Sequence, residues 1–243
     1  MTVFRIGTAG WPVPTALAGE FPPGPSHLVR YAGRFNAVEI NSSFYRPHRP
    51  QTHARWAAAV PEDFRFSVKL PRTITHEARL DCDGGLLDVF LAEVGNLGAR
   101  LGPLLVQLPP SLAFDAAAAG RFFEALRARF AGAVVCEPRH RTWFRAGAEA
   151  LLIAHGIARA AADPALVPEA GMPGGTMDLV YVRLHGSPKM YYSAYPAAYL
   201  ATLAERLAAF PAREVWCVFD NTAEGAAPVN ALALLALMAA ERG

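Results

Sequence analysis

Lysine is nearly missing from this chain: of 23 basic residues among 243, only Lys69 and Lys189 are lysines and the rest are arginines. Cysteine is scarce as well. Cys82, Cys136 and Cys217 are an odd number with no close pair, which excludes a disulfide framework and a Cys-x-x-Cys metal site and leads us to expect a reducing, cytoplasmic compartment. Charge of one sign does not dominate, because 23 basic against 21 acidic residues leave a formal +2, too even for a global footprint toward nucleic acid or anionic lipid. No apolar run approaches the roughly 20 residues of a membrane span, and Met1 to Gly7 opens as strand-like sequence without the features of a signal peptide, so no membrane association is expected. A Gly-x-Gly-x-x-Gly is absent after that strand, where Gly7-Thr8-Ala9-Gly10-Trp11-Pro12 reads as a tight loop, and there is no Walker A sequence. These two absences weigh against an open nucleotide-binding sheet.

What is present is apolar: 53% of residues are hydrophobic and 18% charged, the composition of a globular chain with a large core. Short β-branched or aromatic runs fall at Val3 to Thr8, Ala37 to Asn41, Phe64 to Lys69, Leu104 to Leu108, Ala133 to Glu137, Ile157 to Asp163, Leu179 to His185 and Val215 to Asn221. The sixth is the weakest strand, since alanine favours helix. Helical spacing appears between them, at Leu28 to Phe35, Leu86 to Leu97, Ala116 to Phe130, Ala146 to His155, Pro196 to Phe210 and Pro228 to Ala240. Eight alternating units in about 250 residues predict one domain over 1–243, a single (β/α)8 TIM-type barrel whose site lies at the C-terminal ends of the strands.

Alternation within the strands sorts the side chains, because every second residue of a barrel strand faces the helices and the others face the interior. Val38, Ile40, Phe64, Phe66, Val68, Val180, Val182 and Leu184 are outward. Glu39, Asn41, Ser67, Lys69, Gln107, Glu137, Asp163, Tyr181, Arg183 and His185 are then inward, most of them late in their strands. Polar residues gathered at that end are what a barrel active site requires.

These residues sit in motifs that resemble the YecE-like family, domain of unknown function 72. The resemblance runs through Ile6-Gly7-Thr8-Ala9-Gly10-Trp11, Val38-Glu39-Ile40-Asn41-Ser42-Ser43-Phe44-Tyr45, Phe66-Ser67-Val68-Lys69, Ile74-Thr75-His76 and Leu101-Gly102-Pro103. It continues through Gln107-Leu108-Pro109, Cys136-Glu137-Pro138-Arg139-His140, Trp143-Phe144, Tyr181 to Gly186 and Asp220-Asn221-Thr222. Ala9 and Ser43 depart from the family's common Ser and Thr without removing an ionisable group. The resemblance implies a barrel without a settled activity. Its architectural similarity to barrels of the endonuclease IV and xylose isomerase kind suggests metal-assisted phosphodiester hydrolysis.

For chemistry, Glu137, Lys69, Glu39 and His185 are the candidate catalytic residues. An adjustable ammonium serves as base, Schiff-base amine or phosphate ligand, and carboxylates on different strands can meet across a barrel mouth. Asn41, Tyr45, His76, Gln107, Arg139, His140, Trp143, Arg183 and Asn221 are candidate substrate ligands. The same charges would also satisfy one another as buried ion pairs. Histidines at positions 76, 140 and 185 follow strands singly rather than in a His-Glu-x-x-His arrangement, so no metal or other cofactor is assigned. Lys69 and Arg183 favour a small-molecule anionic substrate, carrying a phosphate or carboxylate. Aromatics at 11, 44, 45, 143, 144, 191, 192 and 195, near the arginines of the mouth loops, leave nucleic acid open as a ligand. Two classes remain: an enzyme of hydrolase type acting on an anionic substrate, and a non-catalytic module that binds such a ligand.

Overall fold

The computed structural model describes residues 2–81 and 84–240, so Cys82 lies outside the described residues. Strands β1 (Val3–Thr8), β2 (Ala37–Ile40), β3 (Arg65–Lys69), β4 (Leu101–Gln107) and β5 (Val134–Glu137) are followed by two short pieces, β6 (Ala158–Arg159) and β7 (Ala161–Asp163). A two-residue β8 (Gly174–Gly175) precedes β9 (Leu179–Leu184) and β10 (Glu214–Phe219). One parallel ladder runs β2-β3-β4-β5-β6 and a second runs β7-β9-β10-β1, with only β8 antiparallel, against β6. Two joints close the ring. Ala9 pairs with Glu39 beyond the end of β1, where Gly10 N donates to Glu39 O at 2.8 Å, and between β6 and β7 the amide of Ala160 donates to Cys136 O at 2.9 Å. The result is an α/β barrel of eight staves, with the sixth broken at Ala160. That stave was expected to be continuous. Instead its first half pairs with β5 and its second half with β9.

Helices α1 (His27–Ala32), α2 (Pro50–Ala58), α3 (Gly85–Val94), α4 (Ala116–Arg127), α5 (Ala146–Ala154), α6 (Ala197–Ala208) and α7 (Ala226–Ala240) lie between or after strands. Helix α2 is not among those read from spacing. Proline occupies its first turn, as the missing N–H there permits, but His53 is its sole buried residue, so it carries no apolar stripe to detect. No helix among the described residues is long and apolar enough to cross a membrane.

The core divides as strand alternation requires. Val38, Ile40, Phe66, Val68, Val180, Val182, Leu184, Cys217 and Phe219 join the layer between strands and helices, whereas Ala37, Leu105, Val135, Ala158, Ala160, Tyr181, Trp216 and Val218 form a separate cluster filling the barrel. The interior is thus plugged by side chains, with Tyr181 and Trp216 stacked at 5.7 Å, and the polar residues sit on top of the plug.

The seam between β1 and β2 is closed largely by side chains. Asn36 Nδ2 donates to Phe4 O at 2.8 Å and its Oδ1 accepts from Ile6 N at 3.3 Å, while Tyr31 Oη accepts from Thr8 N at 2.8 Å and donates to Ala37 O at 3.1 Å. Gly7 sits where a Cβ would come within 2.0 Å of Ala37 O. Gly7→Ala must therefore push β1 from β2 and break these bonds. Urea denaturation is expected to show a loss of about 2–3 kcal/mol; a loss below about 0.5 kcal/mol would mean that the seam is pliable.

Candidate functional site at the C-terminal mouth of the barrel

Parallel strands all end on one rim, so the last inward residue of each reaches the same place. Lys69, Gln107 and Glu137 end β3, β4 and β5, Glu39 is next to last in β2, and Asn41 follows it directly. From the other side come Arg183 near the end of β9, His185 just beyond it, and Asp220 just after β10. Glu39, Glu137, Arg183 and His185 are fully buried.

Arg183 is the centre of this group. Its Nε and Nη2 grip Glu39 at 2.9 and 2.6 Å, Nη1 donates to Glu137 Oε2 at 2.6 Å, and Nη2 also reaches Asp220 Oδ2 at 3.1 Å. Four of its five N–H groups are on carboxylates and the fifth faces His185 Nε2 at 3.5 Å, so Arg183, expected to bind substrate, ties the charged groups of the site to one another. Burial by itself would raise the Glu137 carboxyl, but Arg183, then Arg139 and His185, hold it well below its ordinary range. Asp220 is lowered in the same way, against burial, by Arg183 and His185. Tyr181 completes the floor, donating to Glu39 Oε2 at 3.0 Å and accepting from Ser67 Oγ at 2.9 Å.

His185 bridges two of the carboxylates, with Nδ1 2.9 Å from Asp220 Oδ2 and Nε2 3.0 Å from Glu137 Oε1. Arg139 Nη2 is placed 2.6 Å from the same Nε2 and 2.7 Å from Glu137 Oε1. One nitrogen thus faces a donor and an acceptor at once. A proton on Nδ1 leaves Nε2 to accept from Arg139, whereas a proton on Nε2 serves Glu137 and opposes Arg139. Which nitrogen carries the proton is thus tied to where Arg139 points.

Lys69 stands apart from this network. No hydrogen bond or ion pair reaches its Nζ among the described residues; it lies 4.1 Å from the centre of the Phe44 ring. Burial, then repulsion from Arg183, lowers its pKa from 10.5 to about 8, even though Glu39, Glu137 and Asp220 act in the opposite direction. His76, 4.8 Å from the Phe44 ring, is lowered by burial and by the charges of Lys69 and Arg72. Asn41 Oδ1, Gln107 Oε1 and Arg139 Nε are buried without a partner among the described residues. Tyr191, in the left-handed region at φ 70°, holds its ring 5.9 Å from that of His185.

Other expected ligands also make bonds within the protein. Trp143 is buried and donates to Leu112 O at 3.0 Å, His140 caps the short helix Arg141–Phe144 through Thr142, and Asn221 Nδ2 ties Ser193 O to Asn230. Tyr45 is 71% exposed and lines a neighbouring cavity. Asp163 accepts from Tyr195 Oη at 2.8 Å rather than pairing with a cation. Asp220 was missing from the sequence-based set, although the alternation that sends Val215, Cys217 and Phe219 outward also sends Asp220 inward.

Glu39, Glu137 and Asp220 are hard oxygen donors of the kind a divalent cation takes. They do not fit one here, because a guanidinium already stands among them. No group of three or more His, Cys, Asp or Glu side chains among the described residues is placed to share an ion.

A family profile described as "Protein of unknown function DUF72" matches residues 5–243. The chain is 33% identical over 135 residues to the UPF0759 protein YecE of Escherichia coli strain K12, a stretch covering 55% of this chain and 49% of that protein. It is 26% identical over 147 residues to the UPF0759 protein YunF of Bacillus subtilis strain 168, covering 57% and 51%. The aligned stretch spans about half the length of these curated relatives. Among solved structures, a DUF72 family protein of Enterococcus faecalis V583 superposes with a TM-score of 0.83 at 21% identity, covering 98% of this chain and 96% of that one. A DUF72 family protein of Thermotoga maritima MSB8 superposes at 0.79 and 24% identity, covering 98% and 99%. At these identities the likeness is one of fold.

Proposed function

The chain belongs to the DUF72 family, and on that premise we propose that it is an enzyme whose barrel mouth receives a small molecule bearing a phosphate or other anionic group on Lys69 and uses that amine for proton transfer. The observation that carries this reading is the isolation of Lys69: a buried ammonium without a carboxylate partner, beside three carboxylates already committed to arginine. The carboxylates nearby favour the ammonium at a distance but none touches it, so its donor positions are open to an anionic group of a ligand.

Its pKa of about 8 lets one group act as acid or base near neutral pH. The free carbonyl oxygens of Asn41 and Gln107 accept hydrogen bonds from ligand hydroxyls, and Arg139, linked to His185, can turn toward an anion. Donors, acceptors and a titrating amine around one opening exceed what retention of an anion needs, which favours catalysis over simple binding. Metal-assisted phosphodiester hydrolysis has no donor set among the described residues to support it.

Sulfate tests the reading, because its charge is constant across the range in question. Calorimetric titration is expected to show binding that is level up to about pH 7.5 and then weakens toward tenfold per pH unit above about pH 8, as the ammonium is lost. Affinity without that inflection would sink the role of Lys69. Turnover of a phosphoester and sugar-phosphate panel decides the remainder: pH-dependent sulfate binding with no turnover would make the protein an anion-binding module.

A further inference from the structure

The ring of Phe44 has two neighbours. One is the Lys69 ammonium, and the other is a cavity of about 340 Å³ that opens beside the mouth between the loops after β2 and β3 and helix α3. Phe44, Tyr45, Pro71, Leu86, Val89 and Phe90 provide its apolar wall. Phe90 is buried, whereas Tyr45, Val89 and Leu86 are 71%, 61% and 42% exposed. Three large apolar side chains left to water around one hollow are a mark of a binding surface.

The backbone of this wall is unusual independently of the cavity. Thr73–Glu77 forms a π-helical turn, and Arg79 and Leu80 follow in the left-handed region at φ 52° and 69°. π-turns and strained non-glycine residues persist where the surroundings hold them and gather at functional sites. The turn carries His76 toward Phe44 on one side and lines the cavity with Thr73 and Glu77 on the other, so one segment shapes both compartments. The charges at the rim are partly settled, with Arg72 Nε 2.9 Å from Glu77 Oε1.

We propose that this cavity is a second subsite of the mouth, which takes a single aromatic ring or short apolar chain carried by the same anionic ligand that Lys69 receives. The claim rests on the reading of Lys69 given above and adds the ligand's other half. The single ring that borders both places argues for one molecule spanning them. The volume, at the small end of the roughly 300–1,000 Å³ of ligand pockets, suits one ring and excludes a polymer segment. A partner protein would cover on the order of 800 Å² of surface, far more than such a hollow presents.

Calorimetric titration of methyl phosphate and phenyl phosphate into the full chain separates the outcomes. Phenyl phosphate is expected to bind about tenfold more tightly, the effect of burying part of an aromatic ring. Val89→Asn, at an exposed position on the cavity wall, adds polarity without charge and should erase that advantage while leaving methyl phosphate unchanged, with Leu86→Asn as the second variant should the first not fold. Equal affinity of the two esters in the native protein overturns the subsite while leaving the anion site standing. Failure of both esters to bind overturns the anion site, and the subsite with it. A native dimer that Val89→Asn dissociates would make the cavity a contact between copies and overturn the proposal.

Discussion

Arg183→Met is expected to lower the free energy of unfolding at pH 7 by about 3–5 kcal/mol, the usual consequence of leaving buried charges without their partner. The substitution keeps an apolar stem of similar length but strands Glu39, Glu137 and Asp220, whose oxygens lie 2.6–3.1 Å from the guanidinium in the native chain. The loss should depend on pH in a definite direction. Glu137 and Asp220 are held below their ordinary pKa range, so the stability they contribute is present above about pH 5 and is lost as pH falls through their lowered folded values. In the variant, burial acts without Arg183 to oppose it and both groups take up protons more readily. The gap between native protein and variant is therefore widest near neutrality and already narrower at pH 4. Urea denaturation at pH 7 and pH 4 measures it. A loss under about 1 kcal/mol at pH 7, or a gap that widens in acid, would contradict the structural role of Arg183. Arg183→Lys should rescue little, since a single ammonium cannot supply a fork to two carboxylates at once.

Lys69→Met should do the opposite to stability while removing the proposed function. The folded chain lowers this amine from 10.5 to about 8 chiefly through burial, whereas the unfolded chain keeps its proton to about pH 10.5. The unfolded state therefore binds more protons between those values, and stability of the native protein rises with pH across that window. At pH 7 the charged lysine is a cost, and its replacement by an apolar side chain of similar length is expected to gain roughly 1–3 kcal/mol. The gain should disappear above about pH 10.5, where both states hold a neutral amine. Sulfate affinity should fall by about a hundredfold or more and lose its pH dependence, since no uncommitted ammonium remains at the centre. Thermal denaturation at pH 7, paired with sulfate titration, checks both halves. A destabilised variant that still binds sulfate would show Lys69 to be a packing residue.

The contrast between these two cations marks how far residue patterns carry. Both were read as inward-facing from alternation with Val68 and Val182, and both are inward. Alternation likewise placed Glu39, Gln107, Glu137 and His185, because apolar residues on the helix-facing side leave only one direction for the polar ones. Helix α2 escaped notice for the converse reason: it packs through His53 and Trp56 rather than through an aliphatic stripe. The break in the sixth stave was also hidden, because a run of small residues around Ala160 contains no mark of where one neighbour is exchanged for the other. Trp143, His140 and Asn221 had the right residue types beside the right strands, yet their partners, Leu112 O, Thr142 and Asn230, are set by how loops fold back.

The barrel, the rim on which its polar residues gather and the side of each strand from which they project are all legible in residue order, since these follow from a two-residue period and from parallel strands ending together. Which charges neutralise which is set by the closed ring. Arg183 and Glu39 stand 144 positions apart and meet at 2.6 Å across the closed ring, a pairing that depends on through-space distances no local pattern encodes. That closure consumes one cation and leaves the other, Lys69, with no acidic partner of its own, because ionic pairing acts over a few ångströms and the three nearest carboxylates are already in the grip of arginine.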